Sequence, residues 1–115
     1  MSPPRNDRSS KLPEINVLFR VRVKADRVED FYRLAGSMMR ASTDEPGCVS
    51  FTYHQSVKDA ADFFLYEQWQ DQSSLQSHIA RLVELYGPSE EGGFLPKALT
   101  DYWDDMEATM YRVVE

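Results

Sequence analysis

The chain has 115 residues, 42% of them hydrophobic and 12% aromatic, and a formal net charge of −6, a size that fits one domain with one core. A chain this acidic lacks the basic surface that nucleic acid or an anionic membrane requires, so neither is an expected partner. The single cysteine, Cys48, cannot form an internal disulfide, which fits a reducing cytoplasm, and no apolar run approaches the ~20 residues that span a bilayer.

Residues 1–13 carry Pro3, Pro4, Ser9, Ser10 and Pro13 among charged and amide side chains. They contain no apolar stretch of signal-peptide type and read as a disordered tail, with 14–115 as the folded domain. Ile15 to Lys24 alternates, with Ile15, Val17, Phe19, Val21 and Val23 on one side and Asn16, Leu18, Arg20 and Arg22 on the other. That period of two predicts a strand. Asp26, followed three residues later by Glu29, predicts a capped helix start. Val28, Phe31, Leu34, Ala35, Met38 and Ala41 then recur at helical spacing until Pro46-Gly47. Cys48 to Val57 predicts a second strand, with Val49, Phe51 and Tyr53 sharing a face. After a polar connection, Phe63 to Trp69 predicts a third.

Asp71 can cap a second helix with Leu75, Ile79, Leu82 and Tyr86 on its apolar stripe. The stretch Gly87 to Gly93 predicts a turn-forming loop that could move as a lid, Phe94 to Trp103 a short third helix, and Met106 to Val114 a last strand. The order β-α-β-β-α-(α)-β is the ferredoxin-like α+β pattern, an antiparallel sheet with its helices on one face. Leu18 opposes Phe19, and Phe64 and Tyr66 oppose Phe63 and Leu65, so the strands are apolar on both faces. A second sheet is the simplest cover for the face without helices, which predicts a homodimer.

Glu45-Pro46-Gly47-Cys48 leads into Phe51-Thr52-Tyr53, and Leu65-Tyr66-Glu67-Gln68-Trp69 is followed by Leu75 and His78. In this order and spacing the stretch from Glu45 to Ala80 resembles the antibiotic biosynthesis monooxygenase family, including its small quinol monooxygenases. The resemblance implies a dimeric α+β barrel with two sheets packed face to face. It also implies a reaction of O2 with a quinol or an aromatic polyketide, with no metal or flavin cofactor. The superfamily also holds haem degraders, which use an asparagine on the first strand, a tryptophan on the second helix and a histidine about ten residues later. Asn16 answers to the asparagine, but His78 and Pro88 stand near the other two positions, so haem degradation is not expected. The stretch from Gly87 to Tyr102 is longer than the family's usual turn and helix.

Triplet O2 reacts poorly with closed-shell molecules unless the substrate first loses a proton and becomes electron-rich. A protein serving that reaction needs a dry aromatic cavity and a proton acceptor. No phosphate-binding loop, nucleophile elbow or metal-spaced His/Cys cluster stands in the sequence. His78 lies beside the apolar stripe of the second helix, and an imidazole, titrating near ~6.5 in water, suits a base at neutral pH. It is the candidate catalytic residue, against the plainer reading of a hydrogen-bonded core histidine. The expected substrate contacts are Trp69, Glu67, Tyr66 and Asn16. Trp69 would be an aromatic wall or simply core. Glu67, an acid between Leu65 and Trp69, needs a partner, which Arg20, Arg22 or Arg112 could supply, and it reads as half of a structural ion pair across the dimer before it reads as a catalytic acid. His54 reads as a solvated residue and Cys48 as a small buried filler. A binding domain without catalysis and a dimerisation module with a filled interior are the alternatives of the same fold.

Overall fold

The computed structural model describes residues 12–115. The expected tail up to residue 11 therefore lies outside the described residues. The elements are β1 (Ile15–Val23), α1 (Val28–Thr43), β2 (Cys48–Gln55), β3 (Asp62–Trp69), α2 (Gln72–Tyr86), α3 (Lys97–Thr100) and β4 (Trp103–Tyr111). The strands form one open sheet in the order β2-β3-β1-β4, with every neighbouring pair antiparallel. This is the ferredoxin-like α+β topology that the element order predicts: α1 carries the chain from β1 to β2 and leaves a gap that β3 fills.

Strand parity decides which side chains reach the core. Val17, Phe19, Val21 and Val23 of β1 are buried, as are Phe63, Leu65, Glu67 and Trp69 of β3. The registers Val17↔Glu67, Phe19↔Leu65 and Val21↔Phe63 place them side by side on the face that the helices cover. Phe31 of α1 is fully buried and meets Phe63 edge-on at 5.1 Å, Tyr53 at 5.6 Å and Trp103 at 6.0 Å between ring centroids. The opposite face carries Leu18, Phe64 and Tyr66, all half-buried in the single chain. It also carries the ion pairs Arg20–Asp62 at 3.2 Å and Arg22–Asp59 at 2.8 Å.

Four local expectations are corrected. Asp26 does not cap α1; a single 3-10 turn over Ala25–Arg27 precedes the helix, and Arg27 stands at its N-cap without a side-chain bond. The Arg27 N–H is already taken by the Lys24 carbonyl at 2.9 Å, so the turn supplies what a cap would. Val49 does not share a face with Phe51 and Tyr53. The β2–β3 register shifts between Cys48 and Ser50, and this bulge turns Val49 outward, 50% exposed, while Cys48 packs on the core. The helix expected over Phe94 to Trp103 shrinks to Lys97–Thr100, because Trp103 already pairs with Val23 as the first residue of β4. The last strand accordingly runs Trp103–Tyr111 rather than Met106 to Val114.

Asp71 does cap α2: its carboxylate accepts from the Ser74 N–H at 2.9 Å and from the Ser74 hydroxyl at 2.7 Å. Gly47 sits against that cap with φ +83°, and any β-carbon there would overlap the Ser74 side chain. Only glycine meets both demands. The Gln70 N–H donates to the Gly47 carbonyl at 2.8 Å, so the loop after α1 is tied to the junction of β3 and α2.

Candidate active site

A cavity of about 300 Å³ lies between the helix-covered face of the sheet and α2, at the small end of the range for ligand sites. Its floor includes Val17, Phe19 and Leu65, and Leu75, Ile79 and Leu82 of α2 form its roof. Phe94, Leu95 and Leu99, from the segment after α2, add a further apolar wall. That segment is folded back by a bridge between Ser89 and Pro96 and by the Lys97 N–H donating to the Pro88 carbonyl at 3.0 Å. The loop expected as a lid thus leads directly into residues that line the cavity.

Polar groups are few. His78 projects from α2 and is 3% exposed. Its Nδ1–H donates to Oε1 of Glu45 at 3.0 Å, the carboxylate being able only to accept. That bond occupies Nδ1 and leaves Nε2 as the ring nitrogen open to a substrate. Trp69 lies over the imidazole with ring centroids 4.7 Å apart and a tilt of 33°, and Phe51 meets it edge-on at 5.2 Å. The imidazole is therefore held on one side by a carboxylate and on two others by aromatic rings.

Glu67 also lines the cavity and is 9% exposed. Its Oε1 accepts from the Trp69 indole N–H at 2.7 Å. Burial pushes the Glu67 carboxyl above the usual glutamate range, against the opposing pull of the Trp69 bond and the His78 charge. The arginines expected as its partners lie elsewhere: Arg20 and Arg22 are on the opposite face, paired with Asp62 and Asp59, and Arg112 is exposed beyond β4. Tyr53, another lining residue, has its phenol pushed up by burial and by the Glu67 charge, so it is neutral at physiological pH and can only act as an uncharged donor or acceptor. The Trp103 indole N–H is the one buried side-chain polar atom among the described residues without a hydrogen-bond partner. Trp103 lines the cavity as well.

Of the expected site residues, His78, Trp69 and Glu67 lie together. Tyr66 and Asn16 do not. Tyr66 pairs with Leu18 on the other face of the sheet. Asn16 is 2% exposed, but its side chain clips the start of β1: Nδ2 donates to the Pro13 and Tyr111 carbonyls at 3.3 Å, and Oδ1 accepts from Gln68 at 2.8 Å. His54 is exposed and stacks on Phe64 at 4.3 Å, on the face away from the cavity. The Cys48 thiol, held up at about 11 chiefly by burial and then by the Glu45 and Glu67 charges, is no thiolate nucleophile at neutral pH. Glu45 is the functional side chain that sequence reasoning missed. The signal was available, since a buried histidine on an apolar stripe demands an acceptor. Among the described residues no group of three or more His, Cys, Asp or Glu is placed to hold a metal ion, and no helix is long and apolar enough to cross a membrane.

The chain is thus a ferredoxin-like α+β domain whose helix-covered face holds a largely apolar cavity with a buried histidine and a buried acid. The sequence profile of the antibiotic biosynthesis monooxygenase family matches residues 15–81, and the chain belongs to that family. An uncharacterized protein of Synechocystis is 30% identical over 59 residues, which are 51% of this chain and 40% of that protein. The chain spans less than half the length of the curated relatives it matches. Among solved structures, a conserved protein from Methanosarcina mazei is 25% identical, with TM-score 0.66, over 90% of this chain and 94% of that one. A Nitrosomonas europaea protein, named as a candidate antibiotic biosynthesis monooxygenase, shares the fold with TM-score 0.70 and 22% identity over 88% of this chain and 99% of its own.

Proposed function

We propose that this protein is a homodimeric monooxygenase that uses O2, without metal or flavin, on a quinol or another electron-rich, polyketide-like aromatic. The observation that carries the reading is the oriented imidazole in a largely apolar cavity: His78 with Nδ1 bound to Glu45 at 3.0 Å and Trp69 over its ring. A planar substrate lying along the apolar wall would present its acidic C–H or O–H to Nε2. Proton transfer to His78 leaves an electron-rich carbanion or phenolate, and the imidazolium formed is stabilised by the Glu45 carboxylate beside it. A substrate filling the cavity would displace water from these apolar walls, so that the anion meets O2 rather than being reprotonated by solvent. The cavity lining holds no lysine or arginine, which favours uncharged substrates over carboxylates.

Oxygen uptake against a panel of hydroquinones and anthrones tests the reaction. His78→Ala should lower turnover by about 10²–10⁴, the usual contribution of a general base, with the dimer still folded. Turnover retained alongside a lower thermal midpoint would make His78 a structural residue. No uptake with any substrate, but saturable binding of the same aromatics, would make the domain a binding module instead.

A further inference from the structure

Glu67 is the one acidic side chain on the cavity wall; among the described residues no lysine or arginine pairs with it, and the basic group that acts on it is the His78 imidazole, whose pull is weaker than burial. At its level β1 presents Val17 and β4 presents Met110, through the registers Val17↔Glu67 and Val17↔Met110. From β2 come Cys48 and Tyr53, both neutral near pH 7. The loop after α1 brings Glu45, α2 brings His78, and β3 itself brings Trp69, whose N–H is the one hydrogen bond Glu67 receives. A carboxylate so placed would be a buried charge with a single donor. A carboxylic acid satisfies the site better: one oxygen accepts from Trp69, and the other carries a proton.

We infer that Glu67 is the proton donor for oxygen–oxygen bond cleavage, working opposite His78 across the same cavity. The inference rests on the monooxygenase reading above. For a substrate whose acidic C–H belongs to a CH2 group, as in an anthrone, that group becomes a carbonyl, and one O2 ends as the carbonyl oxygen and one water. His78 takes the first proton from carbon. The carbanion then gives two electrons to O2, a C–O bond forms, and the peroxide anion regains the proton from His78 as a hydroperoxide. In the second half His78 removes the remaining proton from that carbon, the C=O bond forms and the O–O bond breaks. The departing hydroxide needs a proton, which Glu67 supplies, releasing water. The proton left on His78 then returns to Glu67, and both groups are reset. Two groups with opposite proton demands in one apolar site are the arrangement this sequence of steps requires.

The test compares wild type with Glu67→Gln, whose amide oxygen still accepts from Trp69. At neutral pH the infrared spectrum of the wild type should contain the carbonyl stretch of a protonated carboxyl that the variant lacks. A difference spectrum showing only carboxylate bands overturns the inference whatever the turnover. With an anthrone, the variant should still take up O2 but release substrate hydroperoxide, forming finished ketone about 10²–10⁴ times more slowly. Ketone formed by the variant at the wild-type rate overturns the inference while leaving the monooxygenase reading intact. An absence of O2 uptake by the wild type overturns both. In the wild type alone, raising the pH should ionise the acid and divert turnover from ketone to hydroperoxide. A product ratio that does not change with pH overturns the role of Glu67 without relying on any variant.

Discussion

The raised titration of Glu67 makes a stability prediction that needs no substrate. In the unfolded chain this carboxyl ionises at its ordinary value, 4.5, whereas burial raises it in the folded protein. Above pH 4.5 the unfolded state therefore binds fewer protons than the folded one, so folded stability falls as pH rises. The fall continues until the folded carboxyl itself ionises, and then stops. One proton is worth about 1.4 kcal/mol per pH unit at most. For a domain of this size 1 kcal/mol moves the thermal midpoint by roughly 4 °C. Glu67→Gln is neutral at every pH and lacks this contribution, while titrating groups that do not interact with Glu67 are common to both proteins and cancel. The midpoint of the wild type minus that of the variant should therefore decline by up to about 5 °C per pH unit above 4.5 and then level off. Thermal scans of both proteins at matched ionic strength, between about pH 4 and pH 8, measure it. Parallel curves would mean that Glu67 ionises as it does in water. A difference that grows with pH would mean that the Trp69 bond and the His78 charge outweigh burial, and either result refutes the reasoning.

Light scattering at micromolar concentration should return the mass of a dimer, because Leu18, Phe64 and Tyr66 leave a half-buried apolar patch on the face without helices. Phe64→Asp should shift that mass toward monomer, and a wild-type monomer would refute sheet-to-sheet pairing. Gly47→Ala should cost roughly 1–3 kcal/mol in urea unfolding, since it combines a positive φ with overlap on Ser74. Gly87→Ala, also at positive φ but in open space, should cost less, and equal losses would refute the packing part of the argument.

Most of the fold was legible because it rests on periodicity. The alternation of β1 and β3 and the three- and four-residue spacing of α1 and α2 each follow from which residues must leave water, and burial enforced them. The departures arise where one residue changes the geometry. The bulge at Val49 inserts a residue and reverses parity, and nothing in Cys48-Val49-Ser50 announces it. The length of α3 is cut by a pairing between Trp103 and Val23 that is remote in sequence. The candidate site divides in the same way. His78 and Glu67 stood out as polar residues on apolar faces, a conflict that sequence displays directly. Strand parity alone sets Tyr66 opposite Leu65 and Asn16 opposite Val17, on the face away from the cavity. Glu45 escaped because it lies in a turn, where no period exists to say which way a side chain points.

The position of Glu45 shows how fold and chemistry are joined here. The residue reaches His78 from a loop, the kind of segment expected to be mobile, yet its bond sets which imidazole nitrogen faces the cavity. Three neighbouring closures hold that loop. The Gly47 carbonyl accepts from Gln70 at the end of β3, Gly47 packs on Ser74, and Ser74 is the residue that Asp71 caps at the start of α2. The cap that starts the helix carrying His78 is therefore also the surface that seats the loop carrying Glu45. His78 and Glu45 are referenced to one point of the structure, and a small shift of α2 moves both together. A geometry that tolerates little error, two buried heteroatoms 3.0 Å apart, is in this way protected from the flexibility of the loop that completes it.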